Sequence, residues 1–309
     1  LRLRWRTTVA AHGAATASWA LRAHDDAAVV RSPADPVPLP VAGSGLPDLD
    51  RWLETAMTDL ESLQLALPDA PDAVFLAAGA PWFFTLFGRD SLWAARLLLP
   101  LGTELAASTL RVLARMQGRE CDDETAEQPG KVMHELRSSI LTIPGENVSL
   151  PPLYYGTVDA TALWASLLHD AWRWGMPDAQ VKALLPNLEA ALAWMRDYGD
   201  SDGDGFLEYS DTTGHGLANQ GWKDSADSIQ WRDGTLAEGP IALCEVQGYV
   251  YAAFVARAHL ASEAGDTATF ERYRAKADRL RAPSARGPRA SRRRRRAPPA
   301  ARPSRRRRA

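Results

Sequence analysis

The sequence predicts a mainly helical domain, preceded by the end of a β-structure and followed by a tail of different composition. Three observations predict it. Apolar residues recur at spacings of three and four in seven segments between Asp48 and Arg281, the first 23 residues alternate apolar and polar instead, and residues 282 to 309 contain only Ala, Arg, Pro, Ser and Gly.

Taken in order, Leu1, Leu3 and Trp5 alternate with arginines, and Trp19 and Leu21 follow after His12-Gly13, which reads as two strands within residues 1 to 31. Two strands cannot bury a face alone, so these are expected to be the last strands of a β-sandwich. Residues 32 to 48 hold Pro33, Pro36, Pro38, Pro40 and Pro47 with Gly43 and Gly45, the composition of an extended linker. A helical domain is expected over 49 to 281. Its first helix starts near Asp48, with Leu49, Trp52, Leu53, Met57, Leu60 and Leu63 on one face, and others are expected near 90–99, 104–117, 159–174, 178–198, 243–263 and 267–281. Long loops rich in Gly, Pro, Trp and acids separate them at 68–89, 118–158 and 199–240, and loops of that length in a compact domain usually carry function.

Twelve of the 36 Lys and Arg residues lie in 282–309 with no acid, which leaves 24 basic and 38 acidic residues elsewhere. So acidic a body is a poor partner for nucleic acid. The tail lacks apolar side chains to offset its ordering entropy and is expected to be disordered, either as an RNA- or membrane-surface arm or as an out-of-frame translation; the abrupt change after Leu280 favours the latter. No apolar run is long enough to span a bilayer and no signal-peptide plan opens the chain, so a cytoplasmic location with no membrane partner is expected. Cys121 and Cys244 have neither disulfide nor metal-ligand spacing and read as free thiols. The oligomeric state is open.

A sugar-hydrolysing site needs aromatic faces, planar charged groups for paired hydroxyls and two carboxylates about the scissile bond. Candidates stand in the loops. Trp82 precedes Phe87-Gly88-Arg89-Asp90-Ser91, and Trp222 lies in Asn219-Gln220-Gly221-Trp222-Lys223-Asp224-Ser225. Asp90 is either a helix N-cap or, with Arg89, a clamp for neighbouring hydroxyls. His134-Glu135 is either a surface pair or part of the same site, and Tyr155-Gly156-Thr157-Val158-Asp159 opens another helix. Asp200, Asp202 and Asp204, with Gly205 at the sixth position and Asp211 at the twelfth, approach a calcium loop; the Asp in place of a closing Glu weakens the match, and a solvated turn is the alternative. The remaining histidines, His12, His24, His169, His215 and His259, show no ligand spacing.

These blocks, with Pro129-Gly130-Lys131-Val132-Met133-His134-Glu135 and Glu245-Val246-Gln247-Gly248-Tyr249, resemble the bacterial amylo-α-1,6-glucosidase (glycogen debranching enzyme) family over residues 1 to 281. The resemblance implies a β-sandwich joined to an (α/α)6 toroid of the six-hairpin glycosidase kind, here incomplete, with an α-glucan or oligosaccharide substrate and no cofactor. It implies that Arg89 and Asp90 hold the non-reducing glucose and that Asp224 is the general acid. It further implies sugar contacts from Trp82, Phe87, His134, Glu135, Tyr155, Asp159, Asn219, Gln220, Trp222, Lys223, Glu245 and Gln247. Trp222 beside Asp224 is expected to exclude water and raise its pKa. Inversion also needs a base about 6.5–9.5 Å away; the resemblance places it several helices beyond Leu280, so the chain is expected to be a truncated, inactive copy. Other six-hairpin enzymes (a trehalase, an invertase, a processing α-glucosidase), a glycan-binding protein without turnover and a non-functional product are the rival readings.

Overall fold

The computed structural model describes residues 3–20, 25–40, 43–145 and 147–281. The expectations for Leu1, for the strand around Leu21 and for the tail 282–309 fall wholly or partly outside them. Among the described residues the chain is mainly helical, with α1 (Pro47–Ser62), α2 (Gly88–Leu97), α3 (Glu104–Arg115), α4 (Ala160–Arg173), α5 (Asp178–Asp197), α6 (Cys244–Glu263) and α7 (Thr267–Arg281). Each lies within about two residues of its expected place. Six short strands pair into three antiparallel two-stranded sheets: β1 (Gln64–Leu67) with β2 (Ala70–Leu76), β3 (Glu135–Leu136) with β6 (Leu153–Tyr154), and β4 (Leu141–Ile143) with β5 (Val148–Leu150).

The reading of residues 1 to 31 as sandwich strands needs correction. Residues 3–20 form no strand, and Leu3, Trp5, Val9 and Trp19 are all exposed. The alternation is present, but no sheet among the described residues offers it a partner. The first backbone pairing comes at Arg31, which exchanges both hydrogen bonds with Ala66. Downstream, the proline-rich segment is extended as expected and is pinned to β1, because the buried Gln64 side chain bonds both the N–H and the carbonyl of Val37 at 2.7 Å.

Helix α4 is the centre of the molecule. Eleven of its residues are buried, among them Leu163, Trp164, Leu167 and Leu168, so its apolar residues surround the axis instead of forming one stripe, as suits a helix enclosed by others. It packs against α2, α3, α5 and α6. Trp164, almost fully buried, donates its indole N–H to the Leu110 carbonyl on α3, which satisfies the polar atom of an otherwise apolar ring. The helices form three successive hairpins, α2–α3, α4–α5 and α6–α7; the first members are neighbours in the order α2, α4, α6. This arrangement brings the N-terminal ends of α2, α4 and α6, and the loops that precede them, into one region. Arg89 and Asp90 begin α2, Asp159 is the N-cap of α4, and Glu245 lies in the first turn of α6.

Candidate functional site

Arg89 is the hub. Its side chain is almost wholly buried, and Nη1 lies 3.3 and 3.2 Å from the two oxygens of Asp159 while donating to the Gly221 carbonyl at 2.9 Å. Nη2 reaches Asp224 Oδ2 at 3.3 Å, and the guanidinium carbon lies 5.9 Å from the Trp222 ring centroid. One planar cation thus joins the start of α2, the cap of α4 and the Gly221–Asp224 loop, using the fork geometry that suits Arg and not Lys. Thr157 fixes the second member of the pair by donating to Asp159 Oδ1 at 2.8 Å.

Gly88 makes this placement possible. A Cβ there would lie 2.2 Å from the Met133 carbonyl oxygen, so the residue before Arg89 has to be glycine for α2 to start against the Met133–Glu135 segment. Gly88→Ala is expected to cost about 1–3 kcal/mol through backbone displacement, visible as a lower urea midpoint. A midpoint within error of the parent chain would mean that the two segments separate freely.

The neighbouring cleft, about 510 Å³, is lined by Phe83, Phe87, His134, Glu135, Arg137 and Asp224 together with apolar residues of β4 and β5. His134 is held edge-on between Phe87 and Tyr154; burial first, and the cations Arg89, Arg137 and Lys131 second, push its pKa down to about 3, so the ring is neutral. Glu135 is buried and ion-paired through Oε2 to Arg137 Nη2 at 2.8 Å; burial raises its carboxyl, and Arg137 works against that. Burial likewise raises the carboxyls of Asp90 and Asp159, with Arg89 opposing in both. Two buried atoms here, Arg89 Nε and Glu135 Oε1, have no hydrogen-bond partner among the described residues. Glu135 lines the cleft and Arg89 lies behind it, and both unpaired atoms are closed off from solvent.

No protein-family model matches this chain, and no curated protein matches it. The geometry of the site therefore carries the functional argument.

Several sequence-derived candidates lie elsewhere. Trp82 is 79% exposed and borders a separate groove with Asp25, residues 28–30 and residues 137–141. Tyr155 is buried with its hydroxyl committed to the Met116 carbonyl at 2.8 Å, and Gln247 uses its amide to hold the backbone of Leu207. Asn219 accepts from the Tyr209 hydroxyl and donates to the Ser225 and Ala226 carbonyls, so it shapes the loop that carries Asp224. Gln220 lines a different cavity with Lys131 and Trp194. Lys223 and Glu245 are exposed; Glu245 Oε1 would lie 3.9 Å from a Cβ on Gly221, which puts α6 at the edge of the site. The expected shielding of Asp224 is absent, since Trp222 is itself 60% exposed and the Asp224 side chain is 44% exposed.

Asp200, Asp202 and Asp204 do converge, with one carboxylate oxygen each within 4.8 Å of the others. Asp211 does not join them, because it closes its own turn by accepting from the N–H groups of Thr213 and Gly216. The calcium-loop reading loses its closing ligand.

Arg137 and Thr157 were missed. Arg137 stands two residues after Glu135, the spacing at which strand side chains share a face, so period-two reasoning across β3 was the available signal. Nothing in the sequence marks Thr157 apart from its place two residues before Asp159.

Proposed function

We propose that this chain carries the sugar-binding and general-acid part of an inverting glycoside hydrolase of the amylo-α-1,6-glucosidase type, on three hairpins of an (α/α)6 ring, acting on branch-point glucose of an α-glucan without a cofactor. The observation that carries the reading is the Arg89 hub: residues from blocks more than 130 positions apart meet as one guanidinium, two carboxylates and an indole next to a cleft that Asp224 lines. That set matches what a pyranose presents, with vicinal hydroxyls for a planar donor next to acceptors and an apolar ring face for an aromatic wall. Alternating helices with functional residues at the N-terminal ends of α2, α4 and α6 agree with a ring whose site lies at one mouth.

In this reading Asp224 is the acid. It is the member of the pair that solvent, and therefore substrate, reaches, whereas Asp159 is enclosed by Arg89 and Thr157. To protonate a leaving oxygen Asp224 gives up its 3.3 Å contact with Arg89, which then serves the sugar hydroxyls. Asp159 and Glu135 are assigned to holding Arg89 and Arg137 and not to activating water, since both are buried as well as ion-paired whereas the Asp224 side chain is partly exposed.

Calorimetry with 1-deoxynojirimycin, a glucose-shaped amine, tests the assignment. Asp90→Ala and Trp222→Ala are each expected to weaken binding by about tenfold or more, in line with roughly 1.4 kcal/mol for one lost contact. Affinity unchanged in both variants would return Asp90 to a role at the start of α2 and remove the sugar reading of the site.

A further inference from the structure

On the far side of α4 from its N-cap, two histidines that are 90 residues apart in sequence face each other. His169 Nε2 on α4 lies 2.9 Å from His259 Nδ1 on α6. Both outer nitrogens look towards carboxylates: His169 Nδ1 is 3.8 Å from Asp170 Oδ1, and His259 Nε2 is 3.7 Å from Glu263 Oε1. Asp170 is itself held, with Oδ2 taken by Arg96 at 2.7 Å and Oδ1 left for the imidazole. The outer contacts are longer than hydrogen bonds, and the two inner nitrogens share one hydrogen across 2.9 Å. A metal ion can take the place of that shared hydrogen, because each neutral imidazole then offers its inner nitrogen as a lone pair.

We propose that His169 and His259 form a two-histidine chelate for a divalent transition-metal ion of the nickel or copper class, bridging α4 and α6 and separate from the Arg89 site. Imidazole suits these ions, and a carboxylate behind each ligating histidine is the usual supporting arrangement for metal-bound imidazole. Two nitrogens about 2.0–2.1 Å from an ion and at right angles to each other stand about 2.9 Å apart, whereas tetrahedral geometry requires about 3.4 Å; the observed separation favours square-planar or octahedral ions. The ring centroids are 5.1 Å apart, so the rings meet nearly end to end and one must swing for the lone pairs to converge. His259 is the ring with room to do so. Its side chain is 42% exposed while that of His169 is 11% exposed. The same opening leaves the remaining coordination positions to water. Trp172, 5.2 Å from His259 between ring centroids, closes one side.

The test is titration of NiCl2 into the 309-residue chain carrying Cys121→Ser and Cys244→Ser, which removes both exposed thiols as competing ligands. One nickel per chain with a micromolar Kd is expected, together with a nickel-dependent rise in Tm because a bridging ion binds only the folded state. His259→Gln should weaken this binding at least about tenfold and abolish the Tm rise, while His12→Gln and His215→Gln should leave both intact. A second measurement needs no variant: nickel should slow carbethoxylation of His259 by diethyl pyrocarbonate, read on the corresponding peptide by mass spectrometry. Nickel binding that is as tight in His259→Gln, or no saturable binding with no protection of His259, overturns the proposal and assigns the pair to a shared proton.

Discussion

Arg89→Met is expected to lower the stability of the chain by about 3–5 kcal/mol at neutral pH, one of the two largest effects anticipated from any single substitution here. Methionine keeps much of the side-chain length but removes the cation from Asp159, whose side chain is 1% exposed, and leaves the Gly221 carbonyl without its donor. Breaking a buried pair from one side strands an uncompensated charge, which is costlier than removing both partners. Asp159→Asn alone should cost less, because Arg89 keeps Asp224, and the double variant Arg89→Met/Asp159→Asn should recover part of the loss through a coupling of about 0.5–3 kcal/mol.

The effect has a direction in pH. Burial raises the Asp159 carboxyl above its unfolded value even with Arg89 present, so the ionised folded form is disfavoured and the stability this group permits is fullest below the unfolded pKa and declines as pH rises through the folded one. Without Arg89 the rise is larger. The deficit of Arg89→Met should therefore shrink on acidification towards pH 4 and be greatest near pH 7. Urea unfolding of the four chains at both pH values is the check, and a loss below about 1 kcal/mol at pH 7 would mean that water already reaches Asp159.

The helices were legible because burial writes a three-to-four spacing into the sequence, or in the enclosed α4 a long and mostly apolar run. The hairpin β1–β2 was not, since Gln64–Leu67 is buried along its whole length and so shows no alternation, and Pro71 and Asp72 in β2 look like turn residues. The opposite error arose at residues 3–20, where alternation is present without a partner strand. For the site, the residues themselves pointed to Arg89-Asp90 and to the loop around Trp222, because planar cations and carboxylates beside Gly and Trp are unusual there. Asp159 reads from the residues only as a helix entry and joined the candidates through the family resemblance. What the sequence could not carry was commitment. Tyr155, Asn219 and Gln247 have side chains as suitable for sugar as any, and only the fold shows that their polar atoms are already used by Met116, by Tyr209 and the Ser225–Ala226 backbone, and by Leu207. The same holds for His169 and His259, whose relation exists only once α4 lies against α6.

The other large effect belongs to Lys131, and its sign is opposite to that of Arg89. Lys131 is 6% exposed, donates to the Ala126 carbonyl at 3.1 Å, stands 5.6 Å from the Trp194 ring centroid and has no carboxylate within ion-pair distance among the described residues. Burial without a counter-charge pushes its pKa down from 10.5 to about 7. Between those two values the unfolded chain binds a proton that the folded chain does not, so stability should rise with pH from about 7 towards 10, with a slope approaching 1.4 kcal/mol per pH unit, and flatten below 7. Other groups bound the window. His134, with its pKa near 3, gives a slope of the same sign on the acid side, and Tyr154 and Tyr209, both raised to about 12, reverse it above pH 10. Lys131→Met fills the same space without a charge, loses one hydrogen bond worth about 1 kcal/mol, and should remove the slope between pH 7.5 and 9.5 while gaining several kcal/mol at pH 7. Urea midpoints at three pH values across that interval decide the matter. If the parent chain is flat there and Lys131→Met is the less stable protein, then Lys131 keeps its proton when folded, and the cavity it lines must hold enough water to solvate an ammonium group.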